Sequence, residues 1–125
     1  RVLGDLAINH IVPVAVAYQT KLIQNVQGLR DIFDNSEFEE MAGARKDLIR
    51  QISNHISAIK AMVIEMVKAR KECNLIEDVT ESAYAYDKNV CHYLDEIRYH
   101  IDKLELVVDN EMWPLPKYRE LLFNN

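Results

Sequence analysis

Apolar residues recur at helical spacing through three long segments of the chain. In the first segment they follow steps of three and four residues, which predicts a helix with one apolar face over about residues 5–33. These positions are Ile8, Ile11, Ala15, Tyr18, Leu22, Val26, Leu29 and Phe33. Pro13 lies inside the pattern, where it removes a backbone N–H donor and crowds the carbonyl of Asn9. The sequence therefore predicts a bend near residues 9–12, not the end of the helix.

A second helix is predicted over about residues 36–73. Ser36 and Glu39 have the spacing of a capping box, in which each side chain satisfies a backbone N–H of the first turn. The apolar seam that follows suits long antiparallel helices packed at a shallow angle. Its positions are Ile49, Ile52, Ile56, Ile59, Val63, Met66 and Cys73. Because glycine costs about 1 kcal/mol in a helix interior, Gly43 predicts a hinge that leaves residues 36–41 as a separate turn.

The third segment predicts a helix over about residues 78–112. Asp78 and Glu81 offer a second capping box at its start, and the helix must end before Pro114, which disfavours helix in the preceding residue. Its apolar stripe comprises Val79, Ala83, Tyr86, Val90, Leu94, Ile97, Ile101, Leu104 and Val108. Pro116 suits the first position of a short closing helix over about residues 116–122.

These patterns predict a single all-α domain over residues 1–125, an elongated antiparallel three-helix bundle of up-down-up order with a short C-terminal helix. The 3 glycines and 3 prolines among 125 residues are too few for the turns of an all-β sandwich. The longest apolar stretch, residues 6–18, is shorter than the ~18 residues of a membrane-spanning helix. A net charge of -5 argues against binding to nucleic acid or to an anionic membrane.

Ionisable residues crowd on the third predicted helix. His92, Glu96 and His100 are spaced by four and would lie along one helix face, as a candidate ladder for a divalent metal. A solvated helix face explains the same residues, because the Glu-x-x-His motif of di-iron bundles does not occur in the sequence. Cys91 and His92 point about 100° apart on a helix, which argues against a nucleophile paired with its base. Cys73 and Cys91 lack metal-ligand spacing and are expected to be reduced thiols of a cytoplasmic protein.

Basic residues on an inner helical seam would be needed to hold an anionic substrate. Arg45 and Arg70 fall on seam positions of the second helix, but about seven turns separate them and they cannot converge on one small ligand. The sequence therefore assigns no catalytic, cofactor-binding or metal-binding residue to this chain.

Two stretches carry more apolar side chains than a three-helix bundle can cover. Residues 6–18 would be hydrophobic nearly all round, so we expect cover from outside the chain, or self-association of an isolated fragment through this surface. Residues 111–123 include the single tryptophan, Trp113, and fit either a strap folded back over the helical hairpin or docking on another domain or subunit. Together with the start at Arg1, these features indicate a fragment of a longer chain.

Both ends of the sequence resemble one enzyme family. The run LGDLAINHIVPVA at residues 3–15, followed by Tyr18 and Gln19, resembles the segment that leaves the catalytic core of type III glutamine synthetases. The runs EIRYHIDKLELVVD at residues 96–109 and MWPLPKYRELLF at residues 112–123 resemble the carboxyl end of the same family. Between about residues 54 and 91 only the helical register is shared, so the resemblance attaches no role to Cys73 or Cys91.

The resemblance implies that this chain is the C-terminal structural or assembly domain of a cytoplasmic, oligomeric ligase of nitrogen metabolism. Such a parent enzyme joins ammonia to glutamate with ATP and a divalent metal, Mg or Mn, and its ligands lie upstream of Arg1. The expected partners are the catalytic domain of the same chain and neighbouring subunits. The alternative is a free-standing helical adaptor that dimerises through its first helix. The gene sequence upstream of Arg1 distinguishes the two: a nearby start codon favours the adaptor, and a long coding region favours the enzyme.

Overall fold

A computed structural model describes residues 2–108, and all of its regular elements are helical. The first rod consists of α1 (Val2–Leu6), a π-helical stretch (Ala7–Ile11) and α2 (Val12–Ile32). The second rod is α3 (Asn35–Asn74). The third rod consists of α4 (Val79–Asn89) and α5 (Cys91–Val107). The all-α fold class is therefore confirmed, as three successive helical rods.

The central rod, α3, packs against α2 and against both α4 and α5. Gln19 fixes the register of α2 against α3. Its side-chain amide donates to the carbonyl of Ile49 at 3.0 Å and to the hydroxyl of Ser53 at 2.6 Å. Of the seam predicted on the second helix, five residues are buried, and Ile49 and Val63 are half-buried. The buried five are Ile52, Ile56, Ile59, Met66 and Cys73. The largest fully buried side chains of the described residues are Ile11, Ile52, Ile59, Val90, Ile97 and Leu104.

The distortion expected before Pro13 takes the form of the π-helical stretch, through which the rod continues into α2. Pro13 stands at the start of α2, where a helix tolerates a missing N–H. The π-helical stretch also touches both α3 and α5, and its Ala7 and Ile11 are buried. Pro13 therefore interrupts the regular hydrogen-bonding pattern without separating the rod into two helices.

Two expectations about the start of the second helix are wrong. The helix runs without interruption through Gly43, so residues 36–41 are not a separate turn. Its N-cap is Asp34, whose carboxylate accepts the backbone N–H of Glu37 at 2.8 Å, in place of the predicted Ser36. Asp34 and Ser36 are both good caps, and the extended backbone of Asp34 decides between them. Packing of the buried Phe38 and Ala42 on the N-terminal side of the glycine offsets its low helix propensity.

The third rod departs most from the sequence pattern. The predicted cap is confirmed, because the Asp78 carboxylate accepts the backbone N–H of Glu81 at 2.9 Å. Val90 then separates α4 from α5, with its side chain buried. α5 ends at Val107, and residues 109–112 of the predicted third helix, like the predicted closing helix over 116–122, lie outside the described residues. The predicted third helix is therefore two shorter helices up to residue 108.

The stretch over residues 6–18 is better covered than its composition suggests. Its buried side chains are Ala7, Ile11, Val12 and Ala15, and Leu6, Ile8, Val14 and Tyr18 are half-buried. Of its apolar residues, Val16 and Ala17 are exposed. The neighbouring helices thus cover most of this surface, and the expected need for outside cover is wrong for the greater part of it.

Candidate interaction surfaces

An exposed apolar patch lies where α3 ends and α4 begins. We call it the hairpin-end patch and define it as Leu75, Ile76, Val79, Ala83 and Tyr86. Both Leu75 and Val79 are 82% exposed. The last four members of the patch border a shallow cavity of about 460 Å³. The expected burial of Val79, Ala83 and Tyr86 in the bundle is therefore wrong, and α4 presents this face outward.

The local chain geometry explains why these residues stay outside the core. The hydroxyl of Ser82 donates to the carbonyl of Cys73 at 3.0 Å, which holds the start of α4 against the end of α3. α4 has no fully buried residue. Isolated exposed apolar residues are normal on soluble proteins, but a contiguous patch indicates contact with another surface.

A second apolar surface lies along the middle of α3. Ile64 is 66% exposed and borders an open cavity of about 400 Å³ with Val63, Val67, Lys68 and Lys71. The two lysines give the edge of this surface a positive charge. It thus combines an apolar centre with a charged margin, which is the arrangement of many protein interfaces.

A third cavity, of about 330 Å³, lies between the end of α2 and the start of α3. We call it the α2–α3 groove. Its walls are mostly apolar, with charged groups at the edge. The lining residues are Ile23, Val26, Gln27, Arg30, Asn35, Phe38, Glu39, Lys46 and Ile49. Lys46 donates to both oxygens of Glu39, at 2.9 and 3.1 Å, and its ammonium lies 4.9 Å from the ring centroid of Phe38.

A histidine pair joins α3 to α5. The Nδ1 atoms of His55 and His100 are 2.8 Å apart, and both side chains are half-buried. Such a bond needs one ring nitrogen that carries a proton and one that offers a lone pair, so the pair cannot hold two imidazolium ions. Burial, followed by the charges of His100 and Lys103, lowers the pKa of His55 below 6.5. The sequence pattern does not reveal this contact, because the two residues lie 45 positions apart.

The histidine pair predicts a loss of stability in mild acid. Since the pKa of His55 is lower in the folded state, the unfolded chain binds more protons as the pH falls through about 6.5. The stabilisation is complete above that pH and is lost progressively below it. We expect the urea midpoint to fall between pH 7.5 and 5.0, and His100→Gln to weaken this dependence.

The control for this prediction is His92→Gln, which changes an exposed histidine of the same helix. It should leave the difference between the two pH values unchanged. An equal pH dependence in the original chain and in His100→Gln would show that the histidine pair does not cause the loss.

The members of the candidate metal ladder differ in their surroundings. His92 and Glu96 are exposed, whereas His100 turns to His55. Within residues 2–108, no three histidine, cysteine, aspartate or glutamate side chains come together in a way that could hold a metal ion.

Arg45, Arg70 and Cys91, the other residues considered as candidates, do not share a site. The guanidinium of Arg45 donates to the carbonyl of Met41 at 3.0 Å on the exposed surface of α3, so it is not on the inner seam. Arg70 is half-buried beside α1. Desolvation, and then Asp87, raise the pKa of the Cys91 thiol. A raised pKa reduces the thiolate fraction on which nucleophilic attack depends.

The described part of the chain is thus an all-α domain with several outward-facing apolar surfaces, and none of its helices is long and apolar enough to cross a membrane. Comparison with known proteins shows that this chain is similar to parts of two glutamine synthetases. The chain is 55% identical over 123 residues to a glutamine synthetase of Bacteroides fragilis (strain YCH46), a match that covers 98% of this chain and 17% of that protein. It is 21% identical over 124 residues to a type-3 glutamine synthetase of Dictyostelium discoideum, with 97% and 16% covered.

These matches confirm the resemblance to type III glutamine synthetases. The chain spans about one sixth of the length of the two relatives, given coverages of 17% and 16%. No family model matches it. The similarity to the Bacteroides protein runs through the middle of the chain as well as through its two ends, since it covers 123 residues.

Proposed function

We propose that this chain is a C-terminal structural and assembly domain of a glutamine synthetase and contributes no catalytic group. The observation that carries the proposal is the 55% identity over 98% of the chain to a segment that makes up 17% of a glutamine synthetase. In the parent enzyme, ammonia is joined to glutamate with ATP and Mg²⁺ or Mn²⁺. The residues that hold these ligands lie in other parts of the longer chain.

The exposed surfaces support a role in assembly. The hairpin-end patch exposes Leu75 and Val79 almost fully, and burial of apolar area stabilises an association by about 25 cal/mol per Å² before the entropic cost is subtracted. The partners in this proposal are the catalytic domain of the same chain and neighbouring subunits of a homo-oligomer. In such an oligomer, the catalytic domain or a neighbouring subunit covers these side chains and excludes water from them.

The test of this proposal places a charge in the hairpin-end patch of the complete natural protein. We expect Val79→Glu to shift the mass distribution towards smaller species in mass photometry, since a buried carboxylate without a partner opposes association. The folded domain should be retained because Val79 is 82% exposed within it. Glutamine formation should fall only as far as the oligomer dissociates.

Thr80→Glu is the matched control, because Thr80 is the next residue of α4, is exposed, and does not border the patch cavity. It should leave the oligomer intact. The proposal is contradicted if both variants assemble as the natural protein does, or if Val79→Glu abolishes glutamine formation in an intact oligomer.

A further inference from the structure

A cleft between the first rod and α3 is bordered by side chains of opposite charge. Its volume of about 350 Å³ lies at the lower end of the range of small-molecule pockets. We call it the α1–α3 cleft. Its polar members are Asp5, Asn9 and Arg70, and its apolar members include Ile8, Val63 and Val67. The cleft therefore combines one acidic and one basic side chain with an aliphatic wall.

The helices on the two sides of the cleft pack directly on each other at Gly4, which also borders it. A Cβ atom at Gly4 would lie 3.2 Å from Cε of Met66 and 3.6 Å from Cγ1 of Val63. The π-helical stretch contributes Ile8 and Asn9 to the cleft, and π-helical turns occur frequently at functional sites. All of the bordering residues lie in helices, so the cleft has regular walls and not a loop around it.

The charged groups of the α1–α3 cleft are available to a ligand. Among residues 2–108, neither Asp5 nor Arg70 has an ion-pair partner or a side-chain hydrogen bond. Arg70 is half-buried, whereas Asp5 and Asn9 are exposed. Partial burial lowers the effective dielectric constant around a guanidinium, so it attracts a carboxylate more strongly than at the open surface. Arg70 is therefore the anchor expected for an anionic group.

The spacing of the two charges suits one small zwitterion. Asp5 and Arg70 border the same cleft but form no ion pair with each other. A sphere with the volume of the cleft is about 9 Å across. An α-amino acid holds its ammonium and carboxylate about 3 Å apart, and hydrogen bonds of about 2.9 Å at both ends let it connect groups up to about 9 Å apart. One amino acid can thus reach both charged side chains.

The aliphatic wall indicates the side chain of that ligand. Ile8, Val63 and Val67 are half-buried, and an aliphatic group placed against them removes apolar area of both partners from water. The amide of Asn9 can donate to the carboxylate of the ligand or accept from its ammonium. The cleft therefore matches an amino acid with a branched aliphatic side chain.

We propose that the α1–α3 cleft binds a free α-amino acid with an aliphatic side chain, such as leucine. Arg70 holds its carboxylate, Asp5 holds its ammonium group, and the aliphatic wall covers its side chain. This inference goes beyond the assembly role proposed above and does not depend on it, because the cleft and the hairpin-end patch share no residue.

The test measures the binding of L-leucine to the complete natural protein by saturation-transfer difference NMR. We expect Arg70→Gln to raise the dissociation constant at least tenfold, because a charge-assisted hydrogen bond to the carboxylate is lost. Asp5→Asn should raise it at least threefold, since the pair that it removes is more exposed. Arg98→Gln is the matched control and should leave it unchanged, because Arg98 is an exposed arginine of α5 that does not border the cleft.

Two analogues of leucine distinguish recognition in the cleft from a general effect of the substitutions on the fold. 4-Methylpentanoate lacks the ammonium group, and 3-methylbutylamine lacks the carboxylate. Each should bind at least threefold more weakly than leucine. In Asp5→Asn, leucine should lose its advantage over 4-methylpentanoate and keep its advantage over the amine. A purely structural role of Asp5 would leave both ratios unchanged.

The proposal is overturned if L-leucine shows no saturation transfer at millimolar concentrations, or if Arg70→Gln and Arg98→Gln bind it equally. It is also overturned if leucine binds no more tightly than either analogue. Circular dichroism checks the helix content of each variant, and the exposed site of Asp5→Asn decides the question if Arg70→Gln loses helix. None of these results bears on the assembly role, which Val79→Glu tests separately.

Discussion

Ile59→Ala should lower the free energy of unfolding by about 2–5 kcal/mol. Ile59 is 0% exposed and lies in the buried cluster that α3 shares with the two other rods. Its truncation removes apolar contacts and leaves a cavity that straight, closely packed helices fill poorly. Urea unfolding followed by circular dichroism measures the change.

Ile64→Ala is the matched control for this prediction. It makes the same substitution on the same helix, at a side chain that is 66% exposed. A surface truncation of this kind changes stability by about 0.5 kcal/mol or less. Equal losses from the two substitutions would mean that the interior around Ile59 is not packed as described.

Ala15→Asp should destabilise the domain by about 3–5 kcal/mol at neutral pH, because it places a carboxylate in the core without a partner. Ala15 is 0% exposed. The loss should be smaller at pH 4.5, where an aspartate in apolar surroundings binds a proton and becomes neutral. The comparison at each pH is with the original chain, since the histidine pair also responds to acid.

Ala17→Asp is the control for the charge itself. Ala17 lies two residues further along α2 and is exposed, so its carboxylate stays hydrated. We expect a change of about 0.5 kcal/mol or less at either pH. If Ala15→Asp were tolerated as well as Ala17→Asp, the face of α2 that carries Ala15 could not be the buried one.

The helical fold could be predicted from the sequence because the core-facing residues repeat at one period. Ile52, Ile56, Ile59 and Met66 are buried where the pattern placed them. Asp78 caps the helix that it was expected to cap. Periodicity is a local property, and these features depend on residues within one or two helical turns. They could therefore be recognised without knowledge of the other helices.

The predicted helix boundaries were wrong where two local signals competed. Asp34 and Ser36 both have the chemistry of an N-cap, and the sequence does not report which backbone is extended. Gly43 has low intrinsic helix propensity, but the tertiary packing of Phe38 and Ala42 keeps the helix continuous. Val90 fits the apolar stripe of the predicted third helix. Its expected burial is confirmed, although the helix breaks at this residue.

The surfaces could be predicted less well than the core. The contact between His55 and His100 depends on the register of two helices far apart in sequence, and periodicity alone does not fix that register. The stripe of Val79, Ala83 and Tyr86 has the spacing of a buried face, yet α4 turns it outward. An apolar stripe predicts which residues share a face, but the covering partner need not belong to the same domain.

The length of α3 constrains any two neighbours that bind at its two ends. Forty residues without interruption make a rod of about 60 Å, with the α2–α3 groove at its start and the hairpin-end patch at its finish. Neighbours docked at the two ends would be kept at a set separation, as by a rigid spacer. Lengthening the rod by two turns would increase that separation by about 11 Å with little rotation of one end relative to the other.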